Sequence, residues 1–361
     1  MTRTLPRQYL RFGILVLPLG LILLLAALWT WWAESHPDHE RQLRVLVQEQ
    51  LEQWFPEEMR ADAGQYGLVP RLQEPAAHEQ RLVLLVHGLD EPGGIWDELV
   101  PALGAAGFQV WEFRYPNDQA IDRSSDLLAE HWPDLATGQP VVLIGHSMGG
   151  LVVRDFVSRW RHPVGSPPGV AGPSVRGVIL AGTPNQGSEW ARLRIWLELR
   201  DHFAGDPERR FSLFAGLRDG TGAAKIDLRP GSRFLEDLSA RPWPEAVPIH
   251  IIGGTLLEPQ PVMAAGIEAI HAELGSDELA IALESWWSDI GEGLGDGVVP
   301  VASLAIPGAP APILVPASHR GMLVRLLPNA PEPPAIQCIV RVLAECLDSP
   351  GAHQGSCGCA E

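Results

Sequence analysis

The chain has 361 residues, of which 46% are apolar, and its 44 acidic and 27 basic side chains give a formal net charge of −17. This apolar fraction excludes a disordered chain. The acidic balance argues against a nucleic-acid partner, because phosphate binding needs a basic surface. Four cysteines are too few for a disulfide scaffold at this length. The length allows one large domain or two ordinary ones.

An uncharged apolar segment, Phe12–Trp32, lies near the N-terminus. As a helix it would extend about 31 Å, which matches the apolar core of a bilayer. Arg3, Arg7 and Arg11 precede it without any acidic residue, so the N-terminus is expected in the cytoplasm and the rest outside it. This extracytoplasmic space is the periplasm if the cell is Gram-negative, or another compartment outside the cytoplasm. We expect residues 1–33 to form a transmembrane signal anchor. A cleaved signal peptide and a buried core helix are the alternatives.

Residues 34–79 are polar and charged, with apolar positions at helical spacing between residues 41 and 54. This spacing predicts a helix in a stalk or linker, or an early helix packed on the main domain.

From residue 80 to 348, short apolar runs alternate with helical patterns. The predicted strands are residues 81–88, 108–116, 140–145, 175–184, 247–254 and 311–316. The predicted helices are residues 95–103, 120–131, 148–160 and 335–347. This alternation indicates a mostly parallel sheet with helices on both faces.

Two insertions interrupt the alternation, at about residues 185–246 and 255–295. Each follows a predicted strand, at the edge of the sheet where ligands bind. Each is therefore either a lid or a helical excursion packed on the body. A Gly- and Cys-containing tail, residues 349–361, closes the chain.

The motif G-x-S-x-G occurs between a predicted buried strand and a predicted helix, with Ser147 at its centre. A serine on such a sharp turn is exposed for attack, and its neighbours two positions away must be small, as Gly145 and Gly149 are. The sequence therefore predicts a nucleophile at Ser147. A glycine-rich turn with an incidental serine is the alternative.

Two backbone N–H groups are expected to form an oxyanion hole beside this serine. Met148 follows the serine and supplies one. The loop after the first main strand supplies the other, and Leu89 is its best candidate. His87 and His146 lie within these two turns, and we interpret both as structural residues.

The acid and the base should follow the nucleophile along the chain, in that order. His319 comes directly after the strand at 311–316, from where a loop can return its ring to Ser147. Asp296 is flanked by glycines and can turn its carboxylate toward that histidine. Asp289 and Asp227 are the alternative acids. The other histidines after the serine are His162, His202, His250, His271 and His353.

These motifs, GHSMGG, GTPNQGS, DLRPGSRFL, GDGVVP and SHRGM, resemble those of bacterial lipases and esterases of the α/β-hydrolase superfamily. They are also similar to the lecithin:cholesterol acyltransferase and GPI inositol-deacylase branch. The resemblance runs from about residue 80 to 347 and implies an α/β-hydrolase fold. It maps the nucleophile, acid and base onto Ser147, Asp296 and His319. The long insertion before Asp296 departs from the simplest members.

The resemblance implies two-step acyl transfer through an acyl-enzyme, with no metal and no cofactor. We expect a membrane-anchored serine hydrolase that acts on an ester or lipid substrate. Thioesterase, amidase or acyltransferase chemistry on the same residues is an alternative, as is a catalytically silent binding protein. The acyl chain, the alcohol and the oligomeric state stay open.

The cysteines do not form a zinc pattern. Cys338 and Cys346 are too far apart on one helix for a mutual disulfide. A bridge from Cys346 to Cys357 or Cys359 is allowed in an oxidising compartment.

Overall fold

The computed structural model describes residues 20–21, 24–59, 65–72, 81–89, 93–135, 140–189, 217–218, 220–256, 294–327 and 330–344. Seven strands form one sheet: β1 (Gly67–Pro70), β2 (Leu82–Val86), β3 (Gln109–Arg114), β4 (Val141–His146), β5 (Val175–Ala181), β6 (Ile249–Thr255) and β7 (Ile313–Pro316). Their order is β1-β3-β2-β4-β5-β6-β7. Only β1 runs antiparallel to its neighbour, and the predicted mostly parallel sheet is confirmed.

Residues 24–35 are helical. Eight further α-helices lie in the described ranges: α1 (Pro37–Trp54), α2 (Leu99–Ala105), α3 (Ile121–His131), α4 (Met148–Asp155), α5 (Ala223–Asp227), α6 (Arg233–Ala240), α7 (Val301–Leu304) and α8 (Pro334–Val342). Apolar residues of α3, α4 and α6 pack on one face of the sheet. Those of α2 and α8 pack on the other face. Strands β2 and β4 are buried along their whole length, which explains why their sequences are apolar without alternation.

The order of the strands reverses between β2 and β4. From β2 the chain moves outward to β3 and then returns across β2 to β4. The connections after β2 and β4 therefore part in opposite directions and leave a crevice at the carboxyl ends of these two strands. In open α/β sheets this crevice is where ligands bind.

Two predicted helices differ from the observed ones. Residues 95–103 were expected as one helix but form a 3-10 turn, Gly94–Trp96, followed by α2. The helix after Ser147 ends its α-helical part at Asp155 and continues as a wider π-type segment, Phe156–Arg161. Apolar spacing does not distinguish these helix types here, because segments of three and six residues are too short to show a period of their own.

For residues 34–79 the structure agrees with the second expectation, an early helix packed on the main domain, since Arg41 of α1 pairs with Asp227 and Asp122 of the body. Helix α1 is present, but Gly67–Pro70 forms the edge strand β1 and pairs with β3. Four residues are too few to show an alternating pattern, and this strand depends on its neighbour for its hydrogen bonds.

Large parts of both predicted insertions lie outside the described residues, at 190–216 and 257–293, as does the tail at 349–361. The described part of the first insertion contains α5 and α6, which pack on the body. The described residues include 20–21 and 24–32 of the apolar N-terminal segment. No helix within the described residues is long and apolar enough to span a bilayer. Cys338 is buried and disulfide-bonded, a pairing that the sequence did not predict.

Candidate active site

Ser147 occupies the sharp turn between β4 and α4. Its backbone has φ 53° and ψ −129°, the only positive φ of a non-glycine residue in the described ranges. This conformation is strained for a residue with a Cβ atom. The Ser147 N–H donates to the carbonyl of Ala181 in the neighbouring strand at 2.8 Å, and its carbonyl accepts from Gly150 N–H at 3.1 Å. These bonds hold the serine in the strained turn.

The two predicted small positions of the turn are explained by close backbone contacts. A Cβ atom at Gly145 would lie 2.5 Å from the Cα atom of Gly150. A Cβ atom at Gly149 would overlap the carbonyl oxygens of Val86, the last residue of β2, and of His87, which follows it. Glycine is therefore required at both positions for β2, β4 and α4 to approach each other.

The structure brings Ser147, His319 and Asp296 together. The Nε2 atom of His319 lies 2.9 Å from the Oγ atom of Ser147. The Nδ1 atom of the same ring lies 2.7 Å from Oδ2 of Asp296. The Asp296 side chain is fully buried, whereas that of His319 is 13% exposed. Because Nδ1 faces a carboxylate it carries the ring proton, which leaves Nε2 as an acceptor toward the serine.

The Asp296 carboxylate is fixed by the loop that carries it. Its Oδ1 atom accepts the N–H groups of Val298 and Val299 at 2.9 and 2.7 Å. The Asp296 carbonyl accepts the backbone N–H of His319 at 2.9 Å. One loop residue therefore holds the histidine through both its side chain and its backbone.

Gly182 is a residue of this site that the sequence analysis did not single out. It has φ 57°, and its Cβ position would lie 3.3 Å from both Oδ2 of Asp296 and Cε1 of His319. A side chain there would crowd the contact between acid and base. The GTPNQGS motif, which begins at this glycine, was the available signal.

Of the two alternative acids, only Asp227 is among the described residues, and it has other partners. Asp227 is fully buried, but it contacts Nε of Arg41 at 2.5 Å and accepts the N–H of Ile121 at 2.9 Å. Burial raises the pKa of Asp227 to about 6, and Arg41 opposes this rise. Asp289 lies outside the described residues.

The other described histidines have contacts that suit a structural role. His87 stacks on Tyr115 with 4.6 Å between ring centroids. Burial raises the pKa of Tyr115, and its hydroxyl donates to the His87 carbonyl at 2.6 Å. The His146 ring lies 4.8 Å from that of His319, and its Nε2 is 3.2 Å from the His319 carbonyl. Both residues therefore support the loops that meet at Ser147.

Two histidines lie away from this site. His162 accepts the N–H of Val175, and burial lowers the pKa of both His162 and His250. His202, His271 and His353 are not among the described residues.

The loop after β2 lies directly against the serine. A Cβ atom at Gly88 would be 2.8 Å from Cβ of Ser147. Leu89 follows in this loop, and Met148 is the first residue of α4. The two predicted oxyanion donors thus belong to the two segments that meet at the serine. A hydroxyl, an imidazole and a carboxylate that are joined by hydrogen bonds in this order can perform nucleophilic acyl transfer.

Comparison with known proteins identifies the family of this chain. No curated protein matches it. A lipase from Bacillus licheniformis, BlEst2 in its mature form, is 17% identical over 72% of this chain and 93% of its own, with a TM-score of 0.46. The phospholipase PlaB from Legionella pneumophila is 19% identical over 75% of this chain and 60% of its own, with a TM-score of 0.46. The type II thioesterase YbtT of the yersiniabactin pathway is 16% identical over 71% and 92%, with a TM-score of 0.41. The model of the alpha/beta hydrolase family matches residues 83–324, more than half of the sequence, and the chain therefore belongs to that family.

Proposed function

We propose that this protein is a membrane-anchored serine hydrolase that cleaves carboxylic esters through an acyl-enzyme, with Ser147, His319 and Asp296 as nucleophile, base and acid. The observation that carries the proposal is the continuous contact from Ser147 Oγ to His319 Nε2 and from His319 Nδ1 to Asp296. Membership of the alpha/beta hydrolase family supports it.

In the first step, Ser147 Oγ attacks the ester carbonyl and His319 Nε2 takes its proton. The imidazolium that forms is stabilised by the buried carboxylate of Asp296, which keeps the ring in its orientation. The negative charge moves to the carbonyl oxygen, which the N–H groups of Leu89 and Met148 hold. Such donors contribute about 3–4 kcal/mol each in related chemistry.

His319 then gives its proton to the leaving alcohol, and the acyl group stays on Ser147. A water molecule replaces the alcohol, loses a proton to His319 and attacks the acyl carbonyl. Return of the proton to Ser147 releases the carboxylic acid. The charged intermediates lie at the N-terminus of α4, where the helix dipole favours negative charge.

The anchor is the apolar segment Phe12–Trp32. Its length, its lack of charge and the three arginines before it support a single span with the hydrolase domain on the extracytoplasmic side. The first 33 residues hold three arginines and no acid, so the rest of the chain is more acidic than the total charge of −17. Attraction to an anionic bilayer would not hold such a body at the membrane, and the helix is needed for this.

The test is covalent labelling with a fluorophosphonate probe, which reacts with activated serines. We expect Ser147 to be labelled in the folded protein, and Ser147→Ala to lose both the label and all hydrolysis of p-nitrophenyl butyrate. Ser166→Ala, which removes a serine from an exposed loop, is the matched control and should keep both. Hydrolysis by Ser147→Ala at the wild-type rate would show that the site is wrong.

A substrate panel on the unlabelled protein separates the ester reaction from its alternatives. A panel of p-nitrophenyl esters from acetate to palmitate, beside an acyl thioester and an anilide, measures the preferred bond and chain length. We expect the highest kcat/KM on an ester. A higher kcat/KM on the thioester or anilide would reject the proposed substrate class while keeping the three catalytic residues.

A further inference from the structure

The apolar N-terminal helix contacts the body where that helix ends. Residues 24–35 are helical, and Ala33 is buried with 4% of its surface exposed. Glu34 contacts the guanidinium of Arg229 at 3.4 Å, and Arg229 also lies 3.5 Å from the buried Glu40 of α1. The end of the apolar helix is therefore held against the segment that follows α5.

Helix α1 also contacts the end of α5, the turn before α5 and the start of α3. Arg41 pairs with the buried Asp227 at 2.5 Å and with Asp122 at 2.8 Å. Arg44 donates to the carbonyl of Thr221, whose hydroxyl donates back to the carbonyl of Arg44 at 2.7 Å. Removal of one partner from a buried ion pair is strongly unfavourable. Helix α1 is thus fixed to the body and does not act as a loose stalk.

The segment that follows α5 lies beside the loop that carries Asp296. The carbonyl of Leu228 accepts the N–H of Ser188 at 2.9 Å. The hydroxyl of Ser188 donates to the carbonyl of Val298 at 2.5 Å, and Val298 N–H in turn donates to Asp296. Three hydrogen bonds therefore separate the residue next to Arg229 from the carboxylate of the active site. These contacts link the end of the apolar helix to the loop that carries Asp296.

The side chains of this helix are apolar and exposed. Leu24, Leu25 and Leu28 are more than half exposed, and Trp31 is 68% exposed. Under the proposed function, the lipid bilayer covers these side chains, which fits the uncharged run and the tryptophans at its end. Resting on that function, we propose that the active site opens at the surface of the bilayer and that its substrate is a lipid ester resident in the same membrane.

The experiment detaches the apolar helix from the body of the protein without changing the active site. The full-length protein is placed in vesicles of dioleoylphosphatidylcholine and dioleoylphosphatidylglycerol that carry dioleoylglycerol, and oleate release is measured. A short flexible Gly-Ser linker inserted after His36 frees the apolar helix and leaves the contacts of Arg41 and Arg44 intact. The same linker inserted after Ser166, in an exposed loop, is the matched control. Hydrolysis of soluble p-nitrophenyl butyrate is measured in each sample.

We expect the wild type and the control insertion to release oleate and to hydrolyse p-nitrophenyl butyrate. The insertion after His36 should keep the soluble reaction and lose oleate release about tenfold or more, because a longer tether lowers the effective concentration of the site at the bilayer. Equal oleate release by this variant would overturn the inference, as would loss of its soluble reaction. A wild type that cleaves the soluble ester and no lipid refutes the substrate class alone. A wild type that cleaves neither refutes the proposed function as well.

Discussion

Asp296→Asn is the substitution that tests the candidate site most directly, because the surrounding loop dictates how the new amide must lie. The N–H groups of Val298 and Val299 both donate to Oδ1 of Asp296. The asparagine oxygen must keep this position, so its NH₂ group faces Nδ1 of His319. That nitrogen then becomes an acceptor, and the ring proton moves to Nε2, which faces Ser147.

The substitution Asp296→Asn leaves the distances between the three side chains unchanged and removes the ability of His319 to act as a base. With its proton on Nε2, His319 cannot accept the proton of Ser147, and the imidazolium loses its buried counter-charge. The same substitution in serine proteases lowers kcat about 10⁴-fold through the wrong tautomer. We expect a loss of this order here, which corresponds to about 5 kcal/mol of transition-state stabilisation. The KM should change little, because Asp296 is buried behind the histidine.

The assay is steady-state hydrolysis of p-nitrophenyl butyrate, with kcat and KM determined separately, beside circular dichroism to follow the fold. Asp227→Asn is the matched control, since it makes the same chemical change at a second fully buried aspartate that contacts Arg41 instead of His319. We expect this control to keep its kcat within a few-fold of the wild type.

Retention of kcat within tenfold of the wild type in Asp296→Asn, with the fold intact, would refute the assignment of Asp296 as the acid. A large loss of kcat in Asp227→Asn with little loss in Asp296→Asn would reverse the roles of the two carboxylates. If both variants lose kcat because they no longer fold, circular dichroism will show it. Asp296→Glu then tests whether a carboxylate is required at this position.

Two further predictions concern the scaffold of the site. Gly149→Ala would push a Cβ atom into the carbonyl oxygens of Val86 and His87, and we expect it to lower the free energy of unfolding in urea by about 3 kcal/mol or more. Gly94→Ala should be tolerated, because its Cβ atom would meet only Oδ2 of Asp97, at 4.0 Å. Burial raises the pKa of Asp227 from 3.8 to about 6, so the folded state binds its proton more tightly than the unfolded chain. This stabilisation is complete below pH 3.8 and is lost as the pH rises through 6. Urea unfolding at pH 4 and pH 7 should show this loss in the wild type relative to Asp227→Asn; equal pH dependence in the two proteins would contradict it.

The nucleophile turn could be predicted from the sequence because its requirements are local. A buried strand, a turn with two glycines and a helix follow each other within a few residues, and each leaves its own pattern. The positive φ of Ser147 and the close contacts at Gly145 and Gly149 are consequences of that short segment. The parallel sheet was predictable for a similar reason, since strands buried on both faces have continuous apolar sequences.

Features that depend on distant partners could not be predicted in this way. Strand β1 has only four residues and exists because Gly67–Pro70 pairs with β3, more than forty positions along the chain. The contact of Glu34 with Arg229 likewise joins segments that are far apart in sequence. No local pattern distinguishes a charged helix that docks through ion pairs from a solvated stalk, because both have the same composition.

The choice of the acid shows where local and distant information meet. Asp296 and Asp227 are both aspartates after the nucleophile, both lie beside motifs of the family resemblance, and both are fully buried in the structure. Their neighbours differ: Asp296 has two backbone N–H groups on one oxygen and an imidazole on the other, whereas Asp227 has Arg41 and one N–H group. An imidazole partner leaves a carboxylate able to respond to a proton arriving on the ring. A permanent cation neutralises the carboxylate and commits it to holding α1. Under the proposed function, the same residue type supports chemistry at one position and docking at the other, and only the folded chain determines which.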